Sequence, residues 1–193
     1  FYYLFETDQW IFFDEQQGWI VEKQEEYKNS WWQNLVFQLA SQTKPVQIED
    51  SEKWIRARHS CVNRYSTHSS MMAVFKILKN RLDVRQESGV FDGDPHLLGV
   101  KNGVIDLRNG SFKPHNIKTL VTSRTSVSFN PKAKAPRWRR FISEVVPRHE
   151  KYIQLMMGYS ISGLTDLQKM WILTGDGSNG KSTFLETIMG VIG

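Results

Sequence analysis

Cysteine is all but missing from this chain. Cys61 stands alone among 193 residues, which excludes an internal disulfide framework and fits a reducing compartment. A lone cysteine of this kind reads as a small buried hydrophobe. No apolar run approaches the roughly 18 residues a membrane span needs, and no signal-peptide pattern is present. The five histidines (His59, His68, His96, His115, His149) show no paired ligand spacing, which argues against zinc. There is no G-x-S-x-G element for a serine hydrolase. Asp92-Gly93-Asp94 opens like a Ca²⁺ loop but lacks the later ligands and the closing Glu, so it reads as a turn. Internal repeats and low-complexity segments are absent. Carboxylates are scarce at the end of the chain, where Glu186 is the one acid beyond Lys181.

The strongest positive feature lies in that same region. Met170-Trp171-Ile172-Leu173-Thr174 reads as an apolar strand, followed by Gly175-Asp176-Gly177-Ser178-Asn179-Gly180-Lys181-Ser182-Thr183 and a helix start. This is the strand, glycine-rich turn and helix that a phosphate-binding loop requires. Gly175, Gly177 and Gly180 let backbone N–H groups aim at phosphate oxygens, and the helix contributes its positive N-terminal end. Lys181 is expected to reach the β and γ phosphates of ATP, and the Ser182 hydroxyl to ligate Mg²⁺. Phe184, Ile188 and Ile192 recur at helical spacing and give that helix an apolar face. The metal and the attacking water usually need a carboxylate on a later strand. The expectation is therefore weak nucleotide binding without hydrolysis by these 193 residues.

Charge is uneven. Residues 1–55 carry ten acids against four lysines, a net of −6, and residues 56–193 carry ten acids against twenty-one Lys and Arg, a net of +11. A basic body of this kind suits polyanions. With 40% hydrophobic residues the chain can fill one good core or two small ones. It begins at Phe1 rather than Met and ends ten residues after Thr183, so both ends read as boundaries within a longer protein.

Eight aromatics fall in the first twenty residues. Trp10–Phe13 and Gly18–Val21 flank a polar turn and predict a β-hairpin. Its rings are expected to pack on neighbouring helices rather than stack on bases. Helical spacing follows over Glu22–Ser41, with Tyr27, Trp31, Leu35 and Leu39 on one stripe and a break at Lys44-Pro45. A second helix is expected over Glu49–Tyr65, aligning Ile55, His59 and Val62, with Trp54, Cys61 and Tyr65 beside them. Ser66–Ser70 supplies caps for a third, Met71–Leu82. Two Asn-Gly steps, Asn102-Gly103 and Asn109-Gly110, predict type I′ hairpins joining Leu97–Lys101, Val104–Arg108 and Ser111–Lys113. Thr125–Phe129 is expected to add a short strand. A basic linker ends in Pro136 at the first position of a helix, where Trp138, Phe141, Ile142 and Val145 form the apolar face and Arg137, Arg140 and Glu144 point outward. Arg137, Arg139 and Arg140 are candidate DNA contacts. A last helix, from Glu150 to about Ile161, turns Ile153, Met156, Met157 and Tyr159 inward, with the methionines as packing.

In this order the segments resemble phage and plasmid replication proteins in which a helical and β module leads into a superfamily 3 helicase ATPase. That module often lies downstream of a primase or primase-polymerase domain. The resemblance is carried by Trp10…Asp14…Gly18-Trp19, by Leu97–Leu107, by Phe129-Asn130-Pro131…Pro136-Arg137-Trp138…Phe141, by Met157–Gly163, and by Gly175–Thr183 with its Asn before Gly-Lys-Ser. It is loose over residues 20–90 and tight from about 97 onward. It implies an α+β chain: a mainly helical N-terminal module with small antiparallel hairpins and a meander, then the first strand, P-loop and helix of an α/β AAA+ ATPase. The implied division is 1–95, 96–168 (a collar or oligomerisation region) and 169–193. The implied activity is ATP-dependent DNA unwinding by a ring, usually a hexamer, on single-stranded or forked DNA, in a host cytoplasm. The implied cofactors are ATP and Mg²⁺. The family's acidic motif, sensor, arginine finger and DNA hairpin match no residue here. Two alternatives stand beside this reading: a non-catalytic oligomerisation or DNA-docking scaffold, and another P-loop enzyme such as a kinase or GTPase.

Overall fold

A computed structural model of the chain describes residues 1–22, 25–42 and 51–193. It is a mixed α+β chain that divides into two compact units. Phe1–Phe12 with Val21–Ser88 form one, and Phe13–Ile20 with Gly89–Gly193 form the other.

In the first unit, β1 (Tyr2–Leu4) lies antiparallel to β2 (Gln9–Asp14), whose last residues, with the turn and most of β3 (Gly18–Val21), belong to the second unit. The expected hairpin is present, its turn held by Asp14 Oδ1, which accepts from the backbone N–H groups of Gln16 and Gln17 at 2.8 Å each. Trp10 and Phe12 alternate onto one face. They meet Trp32 and Val36 of α1 (Glu25–Gln42) and Met71 and Phe75 of α3 (His68–Leu78). The aromatic packing is edge-on, with Trp10 and Phe75 centroids at 4.7 Å and 71°. Thr67 caps α3 by accepting from Ser70 N. After the helix, β4 (Arg85–Gln86) joins the sheet parallel to β1.

Three details differ from the sequence expectation. Among the described side chains of α1 the buried ones are Trp32 and Val36; Trp31 and Leu35 of the expected stripe are half-buried and pack on the same core, Leu39 is exposed, and the Tyr27 side chain lies outside the described residues. In α2 (Ser51–Tyr65) the half-buried line is Trp54, Arg58 and Val62, and Ile55, His59 and Cys61 are exposed. The Arg58 guanidinium lies over the rings of Phe37 and Trp54 at 5.9 and 5.5 Å, so a cation occupies the contact side where apolar spacing alone was followed. Cys61 is thereby left on the outer face, not in a core. Helix α3 stops at Leu78, and Leu82 is fully outside. Lys79 turns away to bond Asp8 Oδ1 at 2.5 Å. The Lys44-Pro45 break and the positions before Ser51 lie outside the described residues.

In the second unit, β5 (Leu97–Val100), β6 (Gly103–Asp106) and β7 (Ser111–Lys113) form the expected antiparallel meander. Its turns are not type I′. Val100 pairs with Gly103, so Lys101-Asn102 is the loop, and neither residue has positive φ. A Cβ at Gly103 would stand 2.7 Å from Cε2 of Phe112 and overlap the Lys113 carbonyl. Glycine is needed there for close approach rather than for turning. The second connection is four residues long and ends in Gly110 at φ +70°. Thr125–Phe129 does not form a regular strand. It is tied to the meander by a parallel bridge between Arg124 and Gly99 and by Lys101 N–H donating to Val127 O at 2.9 Å.

Asp92-Gly93-Asp94 is structural. Asp92 accepts from the backbone N–H and hydroxyl groups of both Thr122 and Ser123. Asp94 pairs with Arg108 at 2.7 Å. Helices α4 (Pro136–Val145), α5 (Glu150–Ser160) and α6 (Lys181–Ile192) share a core of Ile142, Ile153, Met156 and Phe184. Of the apolar face expected for α4, Trp138, Phe141 and Ile142 pack there, with Val146 rather than Val145, as do both methionines of α5.

Candidate functional site

The expected strand over Met170–Thr174 is not a strand: the segment carries no ladder pairing. Side chains still alternate as on a strand, with Trp171 turned inward, its Nε1 donating to Tyr152 Oη at 3.0 Å, and Met170 and Ile172 exposed. A strand exists only through its neighbour's hydrogen bonds, and among the described residues none runs beside this segment.

The glycine-rich turn follows, open to solvent. Gly175 has φ +147° and Gly180 has φ +81°, both in the region that favours glycine. Gly177 needs no such freedom, and the remaining positive φ falls on Ser178 at +60°. At Gly175 a Cβ would collide with the Asn179 amide; at Gly180 it would stand 2.9 Å from Val145 Cγ2 and 3.0 Å from Phe141 Cε2. Helix α4 therefore presses on the last glycine, and Asn179 folds back over the first. Gly180 caps α6, so the backbone N–H groups of the first turn point out of the helix end.

Lys181 is the centre of the loop. Its ammonium donates to Gly175 O at 2.8 Å, Asp176 O at 3.0 Å and Asn179 Oδ1 at 2.6 Å. All three acceptors are neutral and belong to the loop. Among the described residues no carboxylate pairs with the ammonium. Motif reading counted Asn179 among the loop residues but not this contact: its amide both holds the ammonium and covers Gly175. Ser182 and Thr183 are exposed on the first turn of α6.

A cavity of about 280 Å³ adjoins the loop, lined by Val145, Val146, Ile153, Thr174, Asn179 and Lys181 among others. Its walls are mostly apolar, with Lys181 and Asn179 as polar lining residues. Toward a divalent cation the chain offers the Ser182 hydroxyl. Among the described residues no group of three His, Cys, Asp or Glu side chains is placed to hold a metal. The remaining ligands of a Mg²⁺ would be phosphate oxygens and water.

The three arginines proposed from sequence stand differently from one another. Arg140 Nε donates to Glu144 Oε1 at 2.7 Å along α4, which raises its pKa. Arg139 lines a separate cleft of about 420 Å³ between α4 and α5, with Trp138, Glu150 and Gln154. Arg137 is exposed. Among the described residues no helix is long and apolar enough to cross a membrane.

The family match bears on the first three quarters of the chain. A protein of Acanthamoeba polyphaga mimivirus named "Putative helicase L207/L206" is 27% identical over 108 residues, covering 53% of this chain and 11% of its own length. The chain thus spans about a tenth of that relative. The family described as D5 N terminal like matches residues 1–147, ending before the glycine-rich loop. With more than half of its length inside that match, the chain belongs to the D5 N-terminal-like family.

Proposed function

We propose that the chain is part of an ATP-dependent replicative DNA helicase, in which residues 175–183 cradle the phosphates of ATP. One observation carries this reading: the Lys181 ammonium sits at the N-terminal end of α6 among three neutral loop oxygens, beside an apolar cavity. Phosphate oxygens would replace those acceptors, with the exposed backbone N–H groups and the helix end adding to the attraction. Lys181 would hold the β and γ phosphates and Ser182 the Mg²⁺, as the motif requires. The nucleotide itself supplies the transferable phosphoryl group. A helicase parent is supported by the family match and by the name of the mimivirus relative. In that parent a homo-oligomeric ring, an attached primase or polymerase domain, and single-stranded or forked DNA as partner belong to the same proposal.

Glu186 is the one acid past Lys181, so this chain is expected to bind Mg·ATP without turning it over. Titration of a fluorescent ATP analogue tests the cradle. Binding should be lost in Lys181→Ala and retained in Lys169→Ala; equal binding by all three proteins would reject the site.

A second reading, a non-catalytic assembly scaffold, is favoured by the exposed apolar side chains of Leu155, Met170 and Met189, at 74%, 81% and 67% exposure. Stable self-association with no affinity for single-stranded DNA would select it over the first.

A further inference from the structure

We propose that the turn end of the β5–β7 meander is a docking surface for single-stranded nucleic acid. This takes its partner class from the helicase reading, but its geometry is independent of the glycine-rich loop. Residues 107–143 contain nine Lys and Arg and not one Asp or Glu. Three of the nine are engaged: Arg108 with Asp94 and Asp106, Arg124 with the Gln17 carbonyl and side chain, and Arg140 with Glu144. The other six, Lys113, Lys118, Lys132, Lys134, Arg137 and Arg139, are exposed and form no ion pair among the described residues.

The fold gathers several of these at one place. Asn102, in the β5–β6 turn, accepts from Phe129 N at 2.8 Å and donates to Phe129 O at 3.0 Å. That clamp lays the start of the basic linker against the turn. Lys113 pairs with Val104 beside the same turn, and His115 Nε2 lies 3.3 Å from the Lys101 carbonyl oxygen. Lys101 and Lys113 therefore flank a single end of the sheet, and Lys132 follows three residues after the clamped Phe129. Asp94 and Asp106 belong to the opposite end and are bonded to Arg108; on this side the acids are Asp14 and Glu15 of the β2–β3 turn, whose Gly18 abuts His115, and Asp14 is occupied by the backbone N–H groups of Gln16 and Gln17.

At the same end lie two half-buried rings, Phe112 and Phe129, with centroids 5.4 Å apart and planes at 31°; Phe112 precedes Lys113 on β7, so the ring and that ammonium stand on opposite sides of the strand. One face of Phe112 rests on Gly103. An aromatic pair bordered by unpaired cations is the arrangement that holds unstacked bases and their phosphates together. Duplex nucleic acid would meet the lysines but not the rings, because its bases stay stacked on one another. An acidic peptide would likewise use charge alone.

The test is fluorescence anisotropy with a labelled oligothymidylate, its abasic counterpart, a DNA duplex and polyglutamate, over a salt series. Three proteins are compared: the unaltered chain, Lys113→Gln/Lys132→Gln/Lys134→Gln, and Phe112→Leu/Phe129→Leu. Circular dichroism confirms that each is folded. The lysine variant should lower the slope of log affinity against log salt by about 2, at ~0.7 per phosphate released from a single strand. The phenylalanine variant should weaken oligothymidylate about tenfold and leave the abasic strand unchanged. An unchanged salt slope in the lysine variant overturns the surface. Equal binding of all four ligands, insensitive to the phenylalanine change, overturns the single-strand assignment in favour of a charge-only partner. Nucleotide binding, read on the same samples, should be unaffected by the lysine change; its absence in the unaltered chain would reject the phosphate cradle and leave this surface standing.

Discussion

Two glycines of one loop have opposite demands placed on them. Gly180 combines φ +81° with α4 side chains at about 3 Å from any added Cβ. An L side chain there costs ~1–2 kcal/mol in backbone strain, and crowding against Val145 and Phe141 adds to it. Gly180→Ala is expected to lower stability by at least about 2 kcal/mol in urea denaturation. Gly177 has ordinary φ and open space, so Gly177→Ala should be neutral or stabilising by up to ~1 kcal/mol. Loss of stability in the second variant and not the first would contradict the loop geometry. The motif disclosed which residues contact phosphate in related loops, but not this division of labour. Positive φ depends on what presses against the loop, here α4 and Asn179, and neither is encoded in the spacing of glycines. Cys61 teaches the same point, since a residue type common in cores becomes exposed once Arg58 takes the packing side of its helix.

At the scale of elements, strongly periodic segments were readable and phases were not. The β2–β3 hairpin, the meander, α4 and α5 follow from alternation and helical spacing. The stripes of α1 and α2 were only partly placed: Trp31, Leu35 and Val62 do lie on the packed side, while aromatic and cationic contacts also set the rotation of each helix. Strands β1 and β4 span three and two residues and carry no pattern of their own; β1 exists because β2 offers an edge, and β4 because β1 does. The loops of the meander are held by side-chain carboxylates, which gives a pH dependence. The Arg108 guanidinium, followed by the His96 backbone N–H, holds the Asp94 pKa below its ordinary value. The unfolded chain then takes up the proton first. The stabilisation is present above about pH 4, the unfolded range, and is lost as pH falls through the lower folded value. Asp94→Asn should flatten this part of the acid limb of a urea-midpoint profile, while Asp166→Asn should leave it in place. Matching acid limbs in all three proteins would show that the Asp94–Arg108 pair contributes nothing to folding.

Over the whole molecule, what stayed illegible is what needs a neighbour. Met170–Thr174 has strand composition and strand alternation, yet it is unpaired, with Met170 and Ile172 turned to solvent. An extended apolar segment with unpaired backbone groups is a template for pairing with another chain. Helix α6 presents Leu185, Met189 and Val191 outward as well, at 48%, 67% and 45% exposure. The family match stops at residue 147, so the packing that would cover this region is not part of what the matched sequence specifies. Self-association through the open edge and assembly of an ordered ring make different predictions. Met170→Thr with Ile172→Thr keeps β propensity but removes the apolar face. If association arises at the edge, light scattering of the unaltered chain should rise continuously with concentration, and the double variant should scatter as a monomer. A fixed stoichiometry that survives the two substitutions would instead assign assembly to a different surface, and the edge would have no part in it.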